Sequence, residues 1–339
     1  MPEPEQKNDE AATVAGRLLG HVASLEPIGG GRNSRVYRVA GSDGRLYALK
    51  AYFRRATESR DRLEVEFAAL EFLWRQGFRG VPEPMAADRA AGYALYAYVE
   101  GQRLSPGAIS ADDVDAAADF LARLKRLSAA AERETLPRAA EACFSGRELF
   151  DNLMFRQDRL ARQAADGTAL QEFLDGQWTP ALARVASWSR GHMDWDQPLP
   201  TAHRTLSPSD FGFHNALRRA GGAWVFLDFE YFGWDDPVKL VADVLWHPGM
   251  ALAAPLRQKF YDGAADVYKV EPGFLSRFEH DAPAYGLRWA LIVLNEFLPD
   301  VWKRRLAAGA VDDVRAAQSR QLDKAAALVD RSRRGLVIA

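Results

Sequence analysis

Ile28–Val39 reads IGGGRNSRVYRV, and beyond Gly41-Ser42-Asp43-Gly44 the chain resumes as LYALKAYF over Leu46–Phe53. The three glycines let a backbone approach an anion closely, with successive N–H groups free to point at phosphate oxygens. The residues after the glycines decide the fold. A dinucleotide fingerprint needs a helix there, and a Walker loop needs a GK[ST]. Here Arg35–Val39 alternates as a strand and leads through turn residues into a second strand, so the reading is a glycine loop joining two strands of an antiparallel sheet.

Lys50 sits inside the second of these strands. An ammonium in an apolar strand is costly unless it is paired, so a carboxylate partner is expected. Ser59–Gly77 carries Leu63, Phe67, Leu70 and Trp74 on one helical face. Glu66 lies beside that stripe, whereas Glu64 is rotated about 200° away from it, which makes Glu66 the best candidate for the partner; without Lys50 it would read as an ordinary solvated helix glutamate. Tyr93–Val99 (YALYAYV) reads as a further strand, and Val14–Leu25 as a surface helix.

From Ala111 onward the pattern is mostly helical: Ala111–Leu127, Arg147–Gln163, Leu170–Arg190, Leu256–Tyr268, Tyr285–Leu298 and Val311–Arg331. Asn215–Arg218 and Trp224–Phe229, joined by Ala220-Gly221-Gly222, form a hairpin embedded among them. Asp210 and Asn215 are five residues apart on the irregular stretch before that hairpin, and Asp228 and Glu230 end its second strand. Oxygen donors delivered to one hairpin mouth suit Mg²⁺, which keeps waters and phosphate oxygens in its shell. Taken singly, Asp210 reads as a turn residue and Asn215 as a cap.

Composition narrows the class further. The 339 residues are 48% hydrophobic and 27% charged, with 44 Lys and Arg against 46 Asp and Glu. A balanced charge provides no basic field for nucleic acid or an anionic membrane, so neither is expected as a partner. Cys143 is the only cysteine, which rules out an internal disulfide or a CxxC metal site. The acidic start at residues 2–12 lacks the features of a secretory signal, and Tyr285–Leu298 is too short to span a bilayer. A cytoplasmic protein is expected, with residues 1–12 disordered. The six histidines form no HExxH and no GxSxG is present, which argues against a zinc hydrolase or a nucleophile elbow.

The order of glycine loop, strand lysine, helix glutamate, Asp-x4-Asn and Asp-x-Glu resembles the aminoglycoside phosphotransferase and choline kinase family, from about Leu25 to about Asp243. The resemblance implies an α+β, bilobal protein-kinase-like fold: a small sheet-rich lobe over 1–100 and a larger, mostly helical lobe over 101–339. It further implies an ATP- and Mg²⁺-dependent phosphotransferase acting on a hydroxyl of a small molecule. Carried over, it makes Lys50 the contact to the α- and β-phosphates of ATP, held by Glu66, and Asp210 the catalytic base. Asn215 and Asp228 become metal ligands, with Glu230 touching metal through water. Gly30, Gly31, Asn33 and Ser34 fall in the phosphate-covering loop, and the main chain of Ala97 and Val99 meets adenine. Asp236-Pro237 and Asp243 match the later acidic positions of the family.

Many relatives carry His-Gly-Asp where this chain has Pro208-Ser209-Asp210. The missing histidine is a structural brace, so the departure bears on loop geometry, and an inactive nucleotide-binding or scaffolding relative is the alternative. The absence of DFG and APE argues against a protein kinase. For the acceptor we read a sugar or polyol, with aminoglycosides and choline-like amino alcohols as alternatives. Cationic acceptors would call on carboxylates such as Asp194, Asp196, Asp235, Asp236, Glu296 and Asp300.

Overall fold

The computed structural model describes residues 4–30, 34–53, 60–130, 136–165, 167–190, 195–307, 313–335 and 337–338. Gly31 and Asn33 lie outside the described residues. The chain divides into two compact units: Met1–Leu104 with Glu134–Pro137 and Gly212–Gly233, and the remainder. The first segment of the first unit ends at Leu104. The hairpin segment Gly212–Gly233, expected in the helical lobe, clusters instead with the N-terminal unit. Main-chain bonds account for this: Gln102 and Arg218 exchange N–H···O bonds of 3.0 and 2.9 Å, and Phe226 N–H donates to Gly80 O at 2.9 Å. Gly101 permits the approach, since a Cβ there would stand 3.0 Å from Arg218 O.

The first unit opens with α1 (Pro4–Leu19), and continues through β1 (Val22–Gly30), β2 (Ser34–Gly41), β3 (Leu46–Tyr52), α2 (Arg62–Arg75), β4 (Pro84–Asp88) and β5 (Tyr93–Ala97). All five strands pair antiparallel in the order β1-β2-β3-β5-β4. Two expectations fail at the start of the chain. Disorder is expected over residues 1–12, yet α1 begins at Pro4, because Ala11, Val14 and Ala15 are buried against the sheet. The helix expected to run to Leu25 stops at Leu19, where Gly20 takes a left-handed φ of +80°, and Val22 already belongs to β1. Pro27, which has no N–H to give, sits on this edge strand beside a register shift.

Period-two alternation assigns the two faces of the sheet. Tyr37, Val39, Tyr47, Leu49, Ala51, Tyr93 and Leu95 point toward α1 and make one core with it. Val36, Ala48, Lys50 and Tyr96 therefore point the other way, with Lys50 registered between Val36 and Ala94. On α2, Leu63, Glu66, Phe67 and Leu70 are buried, while Glu64 is exposed and pairs with Arg89 at 2.6 Å. Asp61 caps that helix by accepting from Glu64 N–H.

The second unit is helical: α3 (Ala111–Ala130), α4 (Gly146–Ala161), α5 (Ala169–Phe173), α6 (Thr179–Arg190), α7 (Pro237–Trp246), α8 (Ala254–Tyr268), α9 (Phe274–Val293), α10 (Pro299–Ala307) and α11 (Val314–Arg333). The helix expected over Leu170–Arg190 is broken by a π turn at Leu174–Trp178. The one expected at Tyr285 begins earlier, at Phe274. Every residue of α7 is buried, including Lys239, which lies 2.9 Å from Asp235 and 3.0 Å from Asp243. Arg288 closes the network on both oxygens of Asp243 at 2.6 and 2.8 Å. Burial opposes ionisation of Asp243, but Arg288 and Lys239 outweigh it and hold the carboxyl below its usual range. A Cβ on Gly286 would stand 2.2 Å from Ser332 Oγ and 2.7 Å from Trp246, so glycine is what allows α9 to meet α7 and α11 this closely.

Candidate active site

Lys50, projected from β3 onto the face that α2 covers, is the hub of the first unit's polar network. Its Nζ is 2.7 Å from Glu66 Oε2, 2.8 Å from Asp228 Oδ1 and 3.9 Å from Glu230 Oε2. Burial alone would lower its pKa, but the surrounding carboxylates more than reverse this and hold the ammonium well above the ordinary lysine value. Tyr52 donates to Glu66 at 2.8 Å, and Phe229 N–H donates to the other Glu66 oxygen at 3.2 Å. Glu66 is thus fixed from three sides and in turn fixes Lys50. Asp228, two residues beyond the strand Trp224–Phe226, has a left-handed φ of +66°, a conformation that aspartate tolerates better than most residues. Its side chain remains 37% exposed, whereas that of Glu230 is 2% exposed and lies near Arg62 at 3.8 Å.

These side chains border a cavity of about 530 Å³ within the same unit. Ser34, Lys50, Glu66, Asn215 and Asp228 make its polar end. Val36 and Ala48 from the sheet, with Leu217 and Leu227 from the hairpin, make apolar walls, and Ala97, Tyr98 and Val99 form its rim. Leu227 N–H donates to Asn215 O at 2.7 Å, which ties the asparagine to the irregular segment carrying Asp228; the strand expected over Trp224–Phe229 ends at Phe226. Carboxylate oxygens of Glu66, Asp228 and Glu230 all come within 4.8 Å of one another, a set of hard oxygen donors that fits Mg²⁺. Glu230 is not among the residues bordering the cavity. The Ala97 N–H is already given to Glu83 O at 2.9 Å, so its carbonyl is the group it can offer a ligand. Gly30 closes β1 opposite Arg35.

Asp210 belongs to the second unit. His247, at the C-terminal cap of α7, faces it with Nε2 at 3.6 Å from Oδ1. Gly249 N–H donates to His247 Nδ1 at 2.9 Å, which leaves the ring proton on Nε2, toward the aspartate. Sequence reasoning missed His247; only the length of the unread helix α7 could have pointed to it.

A family model described as the phosphotransferase enzyme family matches residues 24–275, about three quarters of the chain. The chain belongs to the phosphotransferase enzyme family. Solved structures of family-like proteins share its fold. Choline kinase LicA from Streptococcus pneumoniae aligns with a TM-score of 0.62 at 16% identity, covering 96% of this chain and 99% of that one. Spectinomycin phosphotransferase APH(9)-Ia, solved with ADP and spectinomycin, gives 0.63 at 12% identity over 96% and 99%. A choline/ethanolamine kinase family protein from Mesorhizobium loti gives 0.59 at 20% identity over 98% and 99%. No curated protein sequence matches the chain. The α+β architecture is the protein-kinase-like fold expected from the sequence.

In this phosphotransferase Pro208-Ser209-Asp210, where the resemblance leads one to expect His-Gly-Asp, is braced through Ser209. Ser209 adopts a left-handed φ of +68° at the glycine position. Its N–H donates to Ser207 Oγ at 2.9 Å, and its hydroxyl donates to Ala140 O at 2.8 Å and accepts from Lys239 Nζ at 3.3 Å. His203 is engaged elsewhere, 2.8 Å from Glu271. Ser209→Gly should therefore change stability by no more than about 1 kcal/mol, because relief of the left-handed strain offsets the lost hydrogen bonds. Ser209→Val, unable to adopt that φ easily, should lose about 2 kcal/mol and take turnover down with it. Thermal unfolding of the two variants, with turnover measured in parallel, checks the pair; equal stability of the valine variant would contradict the brace.

The carboxylates considered for a cationic acceptor are largely committed to partners. Asp196 pairs with Arg147, Asp235 with Lys239, Asp236 with Arg277, and Glu296 with Arg305. Asp194 lies outside the described residues. Among the described residues no helix is long and apolar enough to cross a membrane.

Proposed function

We propose that this phosphotransferase moves the γ-phosphoryl group of ATP to a hydroxyl of a small molecule, with Mg²⁺. The observation that carries the reading is the Lys50–Glu66–Asp228 contact at 2.7 and 2.8 Å on the border of the 530 Å³ cavity. Adenine lies between Val36 and Ala48 on one side and Leu217 and Leu227 on the other, with the Ala97 carbonyl and the Val99 amide at its polar edge. Lys50 meets the α- and β-phosphates, with Ser34, Gly30, Gly31 and Asn33 in the covering loop. Bound Mg²⁺ neutralises phosphate charge, and Asn215 and Asp228 are the residues to hold it. Glu230, buried beside Arg62, keeps Lys50 and the metal ligands in register.

Asp210 accepts the proton of the acceptor hydroxyl, and the Nε2–H of His247 keeps its carboxylate oriented. Phosphoryl transfer asks little covalent chemistry of a protein, so positioning and charge neutralisation carry the rate. The free, buried thiol of Cys143 is compatible with the cytoplasm, where ATP is available. The acceptor is a small hydroxyl compound; related proteins are named for aminoglycosides, choline and ethanolamine, and nothing in those names favours a sugar or polyol.

ATP consumption, measured with Mg²⁺ and with EDTA across aminoglycosides, amino alcohols, sugars and polyols, tests the reading. Mg²⁺-dependent turnover with one acceptor class is expected. Nucleotide binding without turnover on any acceptor would instead favour the non-catalytic alternative.

A further inference from the structure

The helical unit holds a cavity of about 220 Å³ where the C-terminal end of α7 and the segment after it meet α8 and α11. Trp246, Met250, Leu252 and Leu328 give it apolar walls, and Arg257, Lys324 and Arg331 are its cations. Among the described residues no acidic side chain borders it. His247, whose Nε2 faces Asp210, also borders the cavity, whereas Asp210 does not. The cavity therefore adjoins the proposed base without including it.

Arg257 gives Nε to Ile338 O at 2.9 Å and Nη1 to Leu252 O at 2.7 Å. Arg331 gives Nη2 to Val337 O at 3.0 Å and lies over the Trp246 ring, 4.5 Å from its centroid. Main-chain carbonyls thus fix both guanidiniums at the cavity border. Arg257 Nη2 and Arg331 Nη1 are left without a partner among the described residues, and both keep accessible surface; Arg331 Nε, which is sealed off, takes no part. Burial, and after it the charge of Arg257, push Arg331 down to about 10, with no carboxylate to offset them, and burial lowers Arg257 as well. Both remain charged at neutral pH. Arg277 and Arg288 of the same unit are the contrast, since each is paired with a carboxylate and raised by it. Two like charges side by side in a half-buried site are relieved by an anion that takes one hydrogen bond from each. The apolar walls call for a carbon body behind that anion, and a volume below that of drug-sized pockets keeps the body small.

We propose that this cavity binds a small apolar monocarboxylate, its two oxygens bridging Arg257 and Arg331, its charge facing Lys324 as well, and its hydrocarbon part against Trp246, Met250 and Leu252. Benzoate and hexanoate, titrated into the full chain without nucleotide by calorimetry or saturation-transfer NMR, are the probes. Neither has a hydroxyl to receive a phosphoryl group, so the result stands apart from the phosphotransfer reading. Saturable binding is expected. Benzyl alcohol, which lacks the charge, and inorganic phosphate, which lacks the carbon body, should bind at least roughly tenfold more weakly than benzoate. Arg331→Gln should weaken benzoate by a similar factor, but it also gives up the Val337 carbonyl and the Trp246 ring and can fail to fold. Lys324 is exposed, so Lys324→Glu keeps the fold while turning a cation at the rim into an anion, and it should weaken benzoate roughly tenfold. Absence of saturable binding by both acids, benzyl alcohol or phosphate binding as tightly as benzoate, or unchanged affinity in folded Lys324→Glu overturns the proposal.

Discussion

Asp210→Asn is expected to lower turnover by roughly 10³-fold, the scale on which a positioned general base contributes. The amide matches the carboxylate in shape, so the loop around Ser209, held by Ser207, Ala140 and Lys239, has no reason to move. The ability to accept the hydroxyl proton is lost. Mg·ATP affinity should stay within about twofold, because no group of the 530 Å³ cavity is touched. Steady-state kinetics beside a nucleotide titration separate the two effects. Near-normal turnover in this variant would remove Asp210 from the mechanism.

Asp228→Ala should act on binding as well as on rate. Asp228 is the carboxylate that both contacts Lys50 and keeps more than a third of its surface exposed at the cavity. Removing it takes away one hard oxygen ligand, and turnover should fall at least roughly 10²-fold, as for other charge-stabilising groups. Mg²⁺-dependent nucleotide affinity should fall with it. Stability should change by only about 1 kcal/mol, since Lys50 keeps its 2.7 Å contact with the buried Glu66. A folded variant with unchanged Mg·ATP affinity would place the metal elsewhere.

Much of this site is legible in the sequence because two short periods fix it. Alternation along LYALKAYF puts Lys50 on the face opposite Leu49 and Ala51, and the 3.6-residue helix period puts Glu66 beside Leu63, Phe67 and Leu70 while turning Glu64 out to Arg89. Both inferences need only local geometry. Asn215 and Asp228 are legible as oxygen donors at one hairpin mouth, but their roles as metal ligands came with the resemblance, since Asn215 alone reads as a cap.

The unread parts are those where local patterning carries no information. Helix α7 is buried on all sides, so it has no polar face and no amphipathic period to find. With it went His247, whose position opposite Asp210 depends on the length of that helix. The short strand β4, PMAAD, has little intrinsic strand preference and exists through its pairing with β5. At the N-terminus the acidic composition of residues 2–12 suggests disorder, but the burial of Ala11, Val14 and Ala15 on the sheet outweighs it. The hairpin is recognisable in the sequence, yet its membership in the N-terminal unit rests on long-range bonds to Gln102 and Gly80 that no window of sequence contains.

The proposed function rests on Lys50, Glu66, Asn215 and Asp228 together holding a metal-bound triphosphate. Calorimetric titration of the full chain with a non-hydrolysable ATP analogue, in Mg²⁺ and then in EDTA, addresses this most directly. Saturable binding in Mg²⁺ that weakens markedly in EDTA is expected; no binding, or equal binding under both conditions, contradicts it.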